Sequence, residues 1–343
     1  MLAAAGAVAC TPAVRSSRPR RPRTTIAASV APSETPSPSP SVTASVTASP
    51  TASPVLYEPT AGETYPNAKR LAGQFVQALA TYDEDTPGRD VVGGAARRPD
   101  VDFDIVHALD QARPLVHAGT RSAGAVVYAQ LGGLAVGTTP AHASVMVVVR
   151  QHLTRDTGED ETVTRTVDVR LINRGDQWRV EALADAGGQP TLRRDRRLSA
   201  SARAVLDDER IELPDSARWD INAGMIDQRL LRTMRDMADL FPYAVTVLKS
   251  GHPRNVFGTD LVSGHTLGRG VDIWRVAGQP VVLQGHSQTS EAHRLTRSLL
   301  DELEVPELGS PWDLDGPPTP GTDKPSFTDA VHADHIHVAF KAA

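Results

Sequence analysis

The chain has 343 residues, enough for two folded units that each bury a core of their own. Its 40% hydrophobic and 22% charged residues are those of a globular protein, and a formal net charge of -5 gives no electrostatic footprint for nucleic acid or an anionic membrane. Cys10 is the sole cysteine, which excludes an intrachain disulfide, and the frequent Pro and Gly point to stretches that do not fold.

Residues 1–10, Met1-Leu2-Ala3-Ala4-Ala5-Gly6-Ala7-Val8-Ala9-Cys10, are small and apolar up to the cysteine. They resemble the end of a bacterial lipoprotein signal, and that resemblance implies lipidation of Cys10 and a membrane anchor outside the cell. Residues 11–60 are dominated by Ser, Thr, Pro and Ala, with Ser37-Pro38-Ser39-Pro40 and a repeated Val-Thr-Ala-Ser. Such a composition buries too little apolar surface to offset chain entropy, so a disordered tether is expected, with Arg18, Arg20, Arg21 and Arg23 as a solvated basic patch near the membrane.

From 61 to 190 the texture changes. Pro66 to Tyr82 carries Leu71, Phe75, Ala78, Leu79 and Tyr82 at helical spacing with Pro in the first turn. Strands are expected over Ala125 to Tyr128, Ala143 to Arg150 and Val163 to Asn173, and Arg174-Gly175-Asp176 turns the last into a hairpin with Gln177 to Leu183. A helix followed by long antiparallel strands predicts an α+β cone. It resembles the cystatin-like or ketosteroid-isomerase-like cones of actinobacterial lipoproteins, with Asp83, Asp85 and His142 placed in surface loops.

Residues 191–225 read as a connector, containing the basic Arg193, Arg194, Arg196 and Arg197 and a short helix from Leu198 to Leu206 capped by Ser199. From 226 to 343 a second α+β domain follows, an antiparallel sheet with flanking helices. Ile226 to Phe241 forms an amphipathic helix with Asp227 at its start, and Tyr243 to Leu248 a strand. In Gly270-Val271-Asp272-Ile273-Trp274 the strand period of two puts Asp272 and Trp274 on the face opposite Val271 and Ile273, the open side of the sheet. In His335-Ile336-His337-Val338-Ala339-Phe340 it puts both histidines on one face and Ile336, Val338 and Phe340 on the other. Imidazoles and one carboxylate suit a three-ligand zinc site with an open fourth position. His286 and His293 read as ordinary structural histidines, and Asp313-Leu314-Asp315-Gly316 as a turn lacking the other ligands of a calcium loop.

The pattern Ser263-x-His265-x-x-Gly268-Arg269-x-x-Asp272 followed by His335-x-His337 resembles the zinc D-alanyl-D-alanine carboxypeptidases and murein endopeptidases, whose core is shared with lysostaphin-type peptidases and the hedgehog signalling domain. That resemblance implies Zn2+ held by His265, Asp272 and His337, with His335 and His332 as catalytic groups and Arg254 and Ser263 binding substrate. It implies a zinc peptidase acting on peptidoglycan stem peptides or crosslinks at the cell envelope. The chain departs from the family in lacking Glu-x-x-His at the last motif and in carrying His252-Pro253-Arg254 after Ser250-Gly251, with the arginine one position late. Two other expectations stand beside this one. A zinc-stabilised, non-catalytic wall-binding or ligand-binding lipoprotein would keep the same ligand set, as the hedgehog domain does; or the 61–190 cone would hold a small ligand with the rest as scaffold. No protein partner is evident.

Overall fold

The computed structural model describes residues 55–102, 105–190, 198–317, 319 and 322–341. The proposed lipidation at Cys10, residues 11–54 of the expected tether and the arginines at 193–197 lie outside the described residues, whereas the tether's last residues, 55–60, are held in place: Tyr57 packs on the amino-terminal core over Gly73, and its amide donates to Gln77 Oε1 at 3.0 Å. The fold is α+β, and everything described belongs to one compact unit spanning 52–343.

The amino-terminal part packs three helices, α1 (Pro66–Leu79), α2 (Gly88–Ala96) and α3 (Ile105–Ala112), on an antiparallel sheet of β1 (Thr120–Ala135), β2 (His142–Arg155), β3 (Asp160–Arg174) and β4 (Gln177–Asp185), in the order β1-β2-β3-β4. Pro66 opens α1, where its missing N–H costs nothing, and Leu71, Phe75, Val76 and Leu79 are driven into a core with Val145, Val147, Val169 and Leu171. The strands run longer than their Val-rich centres. β1 continues to Ala135 because the Gly132-Gly133 pair extends the pairing through an irregularity between Leu131 and Gly133.

The carboxy-terminal part begins inside the stretch read as a connector. The helices α4 (Ala200–Leu206) and α5 (Asp215–Asn222) and the short β5 (Ile211–Glu212) bury Ala202, Val205, Ile211, Ala217 and Ile221 in the second core. Ser199 caps α4 by accepting from the Ala202 amide. The order then runs α6 (Gln228–Leu240), β6 (Tyr243–Val247), β7 (Gly270–Val276), β8 (Gln279–Pro280), α7 (Val281–Gln284), α8 (Glu291–Asp301), β9 (Glu307–Gly309), β10 (Ser326–Phe327) and β11 (Ile336–Ala339). The sheet order is β10-β9-β11-β7-β6-β5 with β8 on β7, and it is mixed, since β10 with β9 and β5 with β6 are parallel. Val245, Val271, Ile273, Ile336 and Val338 face the helices.

The opposite face of β7 is not open. Tyr128 of β1 stacks on Trp274 at 4.6 Å between ring centroids, and the two, with Ala244, form a small apolar seam between the sheets. The amino-terminal sheet therefore covers the face that carries Asp272, and that carboxylate is 2% exposed.

Candidate metal centre

Register brings the first two groups together. His337 on β11 lies directly opposite Asp272 on β7, and residues so paired hold their Cβ atoms about 4.5–5.5 Å apart. His265 comes from the loop before β7. Ser263 Oγ accepts from the His265 amide at 3.2 Å, and Lys249 Nζ holds the Thr266 carbonyl, so the loop presents its imidazole inward. Gly270 leaves room for it, because a Cβ there would lie 2.8 Å from the His265 ring. Gly268, at φ 70°, has a carbonyl that accepts from the Asp227 amide, and a Cβ on it would sit 1.9 Å from the Met225 oxygen.

Three donor atoms converge as a result. His265 Nε2 is 3.1 Å from Asp272 Oδ1 and 3.2 Å from His337 Nδ1, and His337 Nδ1 is 2.8 Å from Asp272 Oδ1. Three ligands bound tetrahedrally at ~2.0–2.1 Å would stand roughly 3.3 Å apart, so the donors are nearly in place for one ion. The outer ring atoms are engaged too. His265 Nδ1 donates to the Leu248 carbonyl at 2.7 Å, which leaves the Nε2 lone pair facing the cluster. His337 Nε2 faces Glu307 Oε1 at 3.6 Å. The residues fit a divalent cation and can bind one.

Electrostatics agree with that use. Burial pushes the Asp272 carboxyl up, but the adjacent His265 and His335 imidazoles outweigh it and hold the group well below the usual carboxylate range. Burial lowers His337, yet its bonds to Asp272 and Glu307 dominate and raise it to about 9. The two carboxylates thus favour a proton on His337, and a metal would take that proton's place.

His335 and His332 line the same cleft of about 320 Å³. His335 Nδ1 bonds Asp334 Oδ1 at 2.6 Å, which directs Nε2 to within 3.9 Å of Asp272 Oδ2. Asp334 is itself paired with Lys69 of α1, and Lys69 with Glu63, all fully buried side chains. His332 forms a second carboxylate–imidazole pair, its Nδ1 2.8 Å from Asp329 Oδ1, and burial keeps its pKa below the ordinary value. The ring sits over Gly309, where a Cβ would approach to 2.5 Å.

Ser263 lines this cleft, whereas Arg254 lies in an adjoining one of about 410 Å³ that shares Val256 and Phe257 with it. His142, expected in a loop, is the first residue of β2; it faces Glu181 at 3.3 Å in a third cleft that shares Arg170, Phe257 and Gly258 with that of Arg254.

Sequence reasoning missed His252. One donor atom each from His252, His265 and Asp272 lie within 4.8 Å of one another, so the cluster holds a fourth potential ligand. The His252 ring stacks on His265 with centroids 4.0 Å apart and planes 12° from parallel. An imidazole lone pair lies in the ring plane, so two stacked rings do not both aim at one ion without a rotation. Burial and the neighbouring His265 hold its pKa well below the ordinary value, so the ring is neutral. Its loop is fixed from three sides. Asp220 of α5 accepts from the Ser250 amide at 2.8 Å and its hydroxyl at 2.6 Å, the Gly251 amide donates to Asp185 at 3.0 Å, and Gly251 at φ 93° passes so close to Thr166 that a Cβ would be 2.3 Å from its oxygen.

Neither models of protein families nor curated proteins give a match to this chain. Among solved structures, the intermembrane space region of the chloroplast protein ARC6 is similar at 14% identity with a TM-score of 0.23, covering 33% of this chain and 92% of that one. A likeness at that level says nothing about fold or site. No helix among the described residues is long and apolar enough to cross a membrane.

Proposed function

We propose that the chain is a zinc-dependent peptidase acting on peptidoglycan stem peptides or crosslinks, tethered through Cys10 to the outer face of the cell membrane. The convergence of His265 Nε2, Asp272 Oδ1 and His337 Nδ1 within 3.2 Å of one another carries this reading. Two imidazoles and a carboxylate are a zinc donor set once His337 gives up the proton it holds without a metal, and it is the set that the resemblance to the zinc D,D-peptidases implies. When bound, zinc supplies Lewis acidity and lowers the pKa of water to about 7.

The protein's own groups handle the proton and the substrate. His335, fixed by Asp334, presents Nε2 to the cleft as the acid–base group and as a donor to developing negative charge. His332, oriented by Asp329, is the second proton carrier. Arg254, in the adjoining cleft, offers a guanidinium fork to a substrate carboxylate. The test is to incubate crosslinked peptidoglycan with the zinc-loaded chain and with the chelator-stripped chain, and to resolve the muropeptides released. Release only by the loaded chain supports the proposal, and equal release by both sinks it.

A second reading rests on His252. If that ring rotates to become a fourth ligand, the centre is closed and structural, and the protein binds wall or ligand without cleaving it. Metal removal would then lower the melting temperature of a chain that hydrolyses nothing.

A further inference from the structure

The metal centre is not completed within the carboxy-terminal part of the chain. Asp272 divides its two oxygens: Oδ1 faces His265 and His337, and Oδ2 accepts a hydrogen bond of 2.7 Å from Gln130 Nε2. Gln130 belongs to β1 of the amino-terminal sheet, 142 residues earlier in the sequence. We propose that Gln130 is a positioning residue for the metal centre, holding the Asp272 carboxylate so that one oxygen alone is offered to the ion, and that the amino-terminal domain exists in part to supply it.

The placement follows from the strand period. On β1, Ala129 and Leu131 enter the core beneath α1, while Tyr128 and Gln130 point the other way, Tyr128 onto Trp274 and Gln130 onto Asp272. Residues two apart on β1 thus meet residues two apart on β7, and the aromatic stack fixes the sheets at the distance the amide needs. Gln130 is fully buried. The amide nitrogen has to face the carboxylate, because an amide oxygen there would meet another acceptor. Its own oxygen, Oε1, then finds no donor. Stability alone gives little reason to bury a glutamine here, since the donor it gives the buried Asp272 carboxylate is offset by its own unpaired oxygen. Orientation of a metal-ligating carboxylate does, since ligating carboxylates are themselves held by hydrogen bonds and losing such support costs about 10- to 100-fold in metal affinity.

This inference rests on the metal-site reading and not on hydrolysis. The experiment compares the full chain with Gln130→Met, which keeps volume and removes the orphaned oxygen, and Gln130→Asn, which keeps an amide one methylene too short to reach Asp272. Zinc affinity is measured by competition with a chromophoric chelator, the cobalt-substituted spectrum reports ligand geometry, and melting is followed in metal-free protein. Both variants should bind zinc about 10- to 100-fold more weakly with an altered cobalt spectrum, while metal-free Gln130→Met, which exchanges an unpaired amide oxygen for an Asp272 oxygen without its donor, melts within a few degrees of its parent. Unchanged zinc affinity in both variants overturns the assignment, as does a metal-free Gln130→Met that melts well below its parent, the mark of a structural role. A parent chain that binds zinc but cleaves nothing removes the peptidase reading and leaves this one intact. A parent chain that binds no zinc removes both.

Discussion

Replacing Lys69 by Met tests the buried charge chain behind His335. The ammonium is 0% exposed and ion-paired to both Glu63 and Asp334, while Asp334 Oδ1 takes the 2.6 Å bond from His335. Burial pushes both carboxyls up, but the outcomes differ. Lys69 and His335 bring Asp334 below its ordinary value, whereas Glu63 stays raised despite Lys69. The network thus matches one ammonium chiefly to one carboxylate, with Glu63 inclined to keep its proton. Removing Lys69 leaves Asp334 as an uncompensated buried charge, a defect that costs about 3–5 kcal/mol. At roughly 2–4 °C per kcal/mol for a fold of this size, calorimetry should show melting lower by about 6–20 °C. Peptidoglycan hydrolysis should fall about 10- to 100-fold with zinc content unchanged, because Lys69 supports His335 and touches no metal ligand. The triple variant Lys69→Met, Glu63→Gln, Asp334→Asn removes every charge and should recover most of the melting temperature but not the activity. A Lys69→Met chain that melts and hydrolyses like its parent, or a triple variant no more stable than the single one, refutes the reasoning.

Gly270→Ala should drive a methyl into the His265 ring and weaken zinc binding at least tenfold by chelator competition, although this position tolerates alanine by φ. Gly268→Ala meets both a left-handed φ and the Met225 oxygen, and should lower the melting temperature more than Gly270→Ala does. Zinc at a hundredfold excess over its dissociation constant should stabilise the fold by about 2.7 kcal/mol, read as a rise in melting temperature that vanishes in His337→Ala. The hydrogen bond to Arg210 lowers the Asp208 carboxyl to a pKa of about 2, below its ordinary 3.8. Its stabilisation is present above the unfolded pKa and is lost as pH falls towards 2, so Asp208→Asn should flatten the acid limb of the stability curve between those values.

Much of the second sheet was legible because its chemistry is written in period two. His335 and His337 share a face and oppose Val338 and Ile336, and the paired register with β7 does the rest. The helices α2 and α3 and the ends of β1 were not legible, since Gly88-Arg89-Asp90-Val91-Val92-Gly93-Gly94 carries no apolar stripe and Gly132-Gly133 reads as a break. The direction of Asp272 was read correctly along the strand but not its surroundings. An open face was expected, and tertiary packing placed Tyr128 and Gln130 over it. One signal lay unused in the sequence. Lys69 falls within the apolar stripe of α1, four residues before Gly73 and three before Ala72, where a charge survives only with a buried partner. That partner, Asp334, is 265 residues away, and no local pattern joins them. His252 was legible only as a departure from the family motif, because its stacking on His265 depends on a loop pinned by Asp220 and Asp185.

The most direct measurement is zinc content by elemental analysis together with muropeptide release, made side by side on the parent chain and on His337→Ala. One zinc per parent chain, released muropeptides, and loss of both in the variant is the predicted result. Release that persists in a metal-free His337→Ala chain, or a fully zinc-loaded parent that releases nothing, contradicts the account.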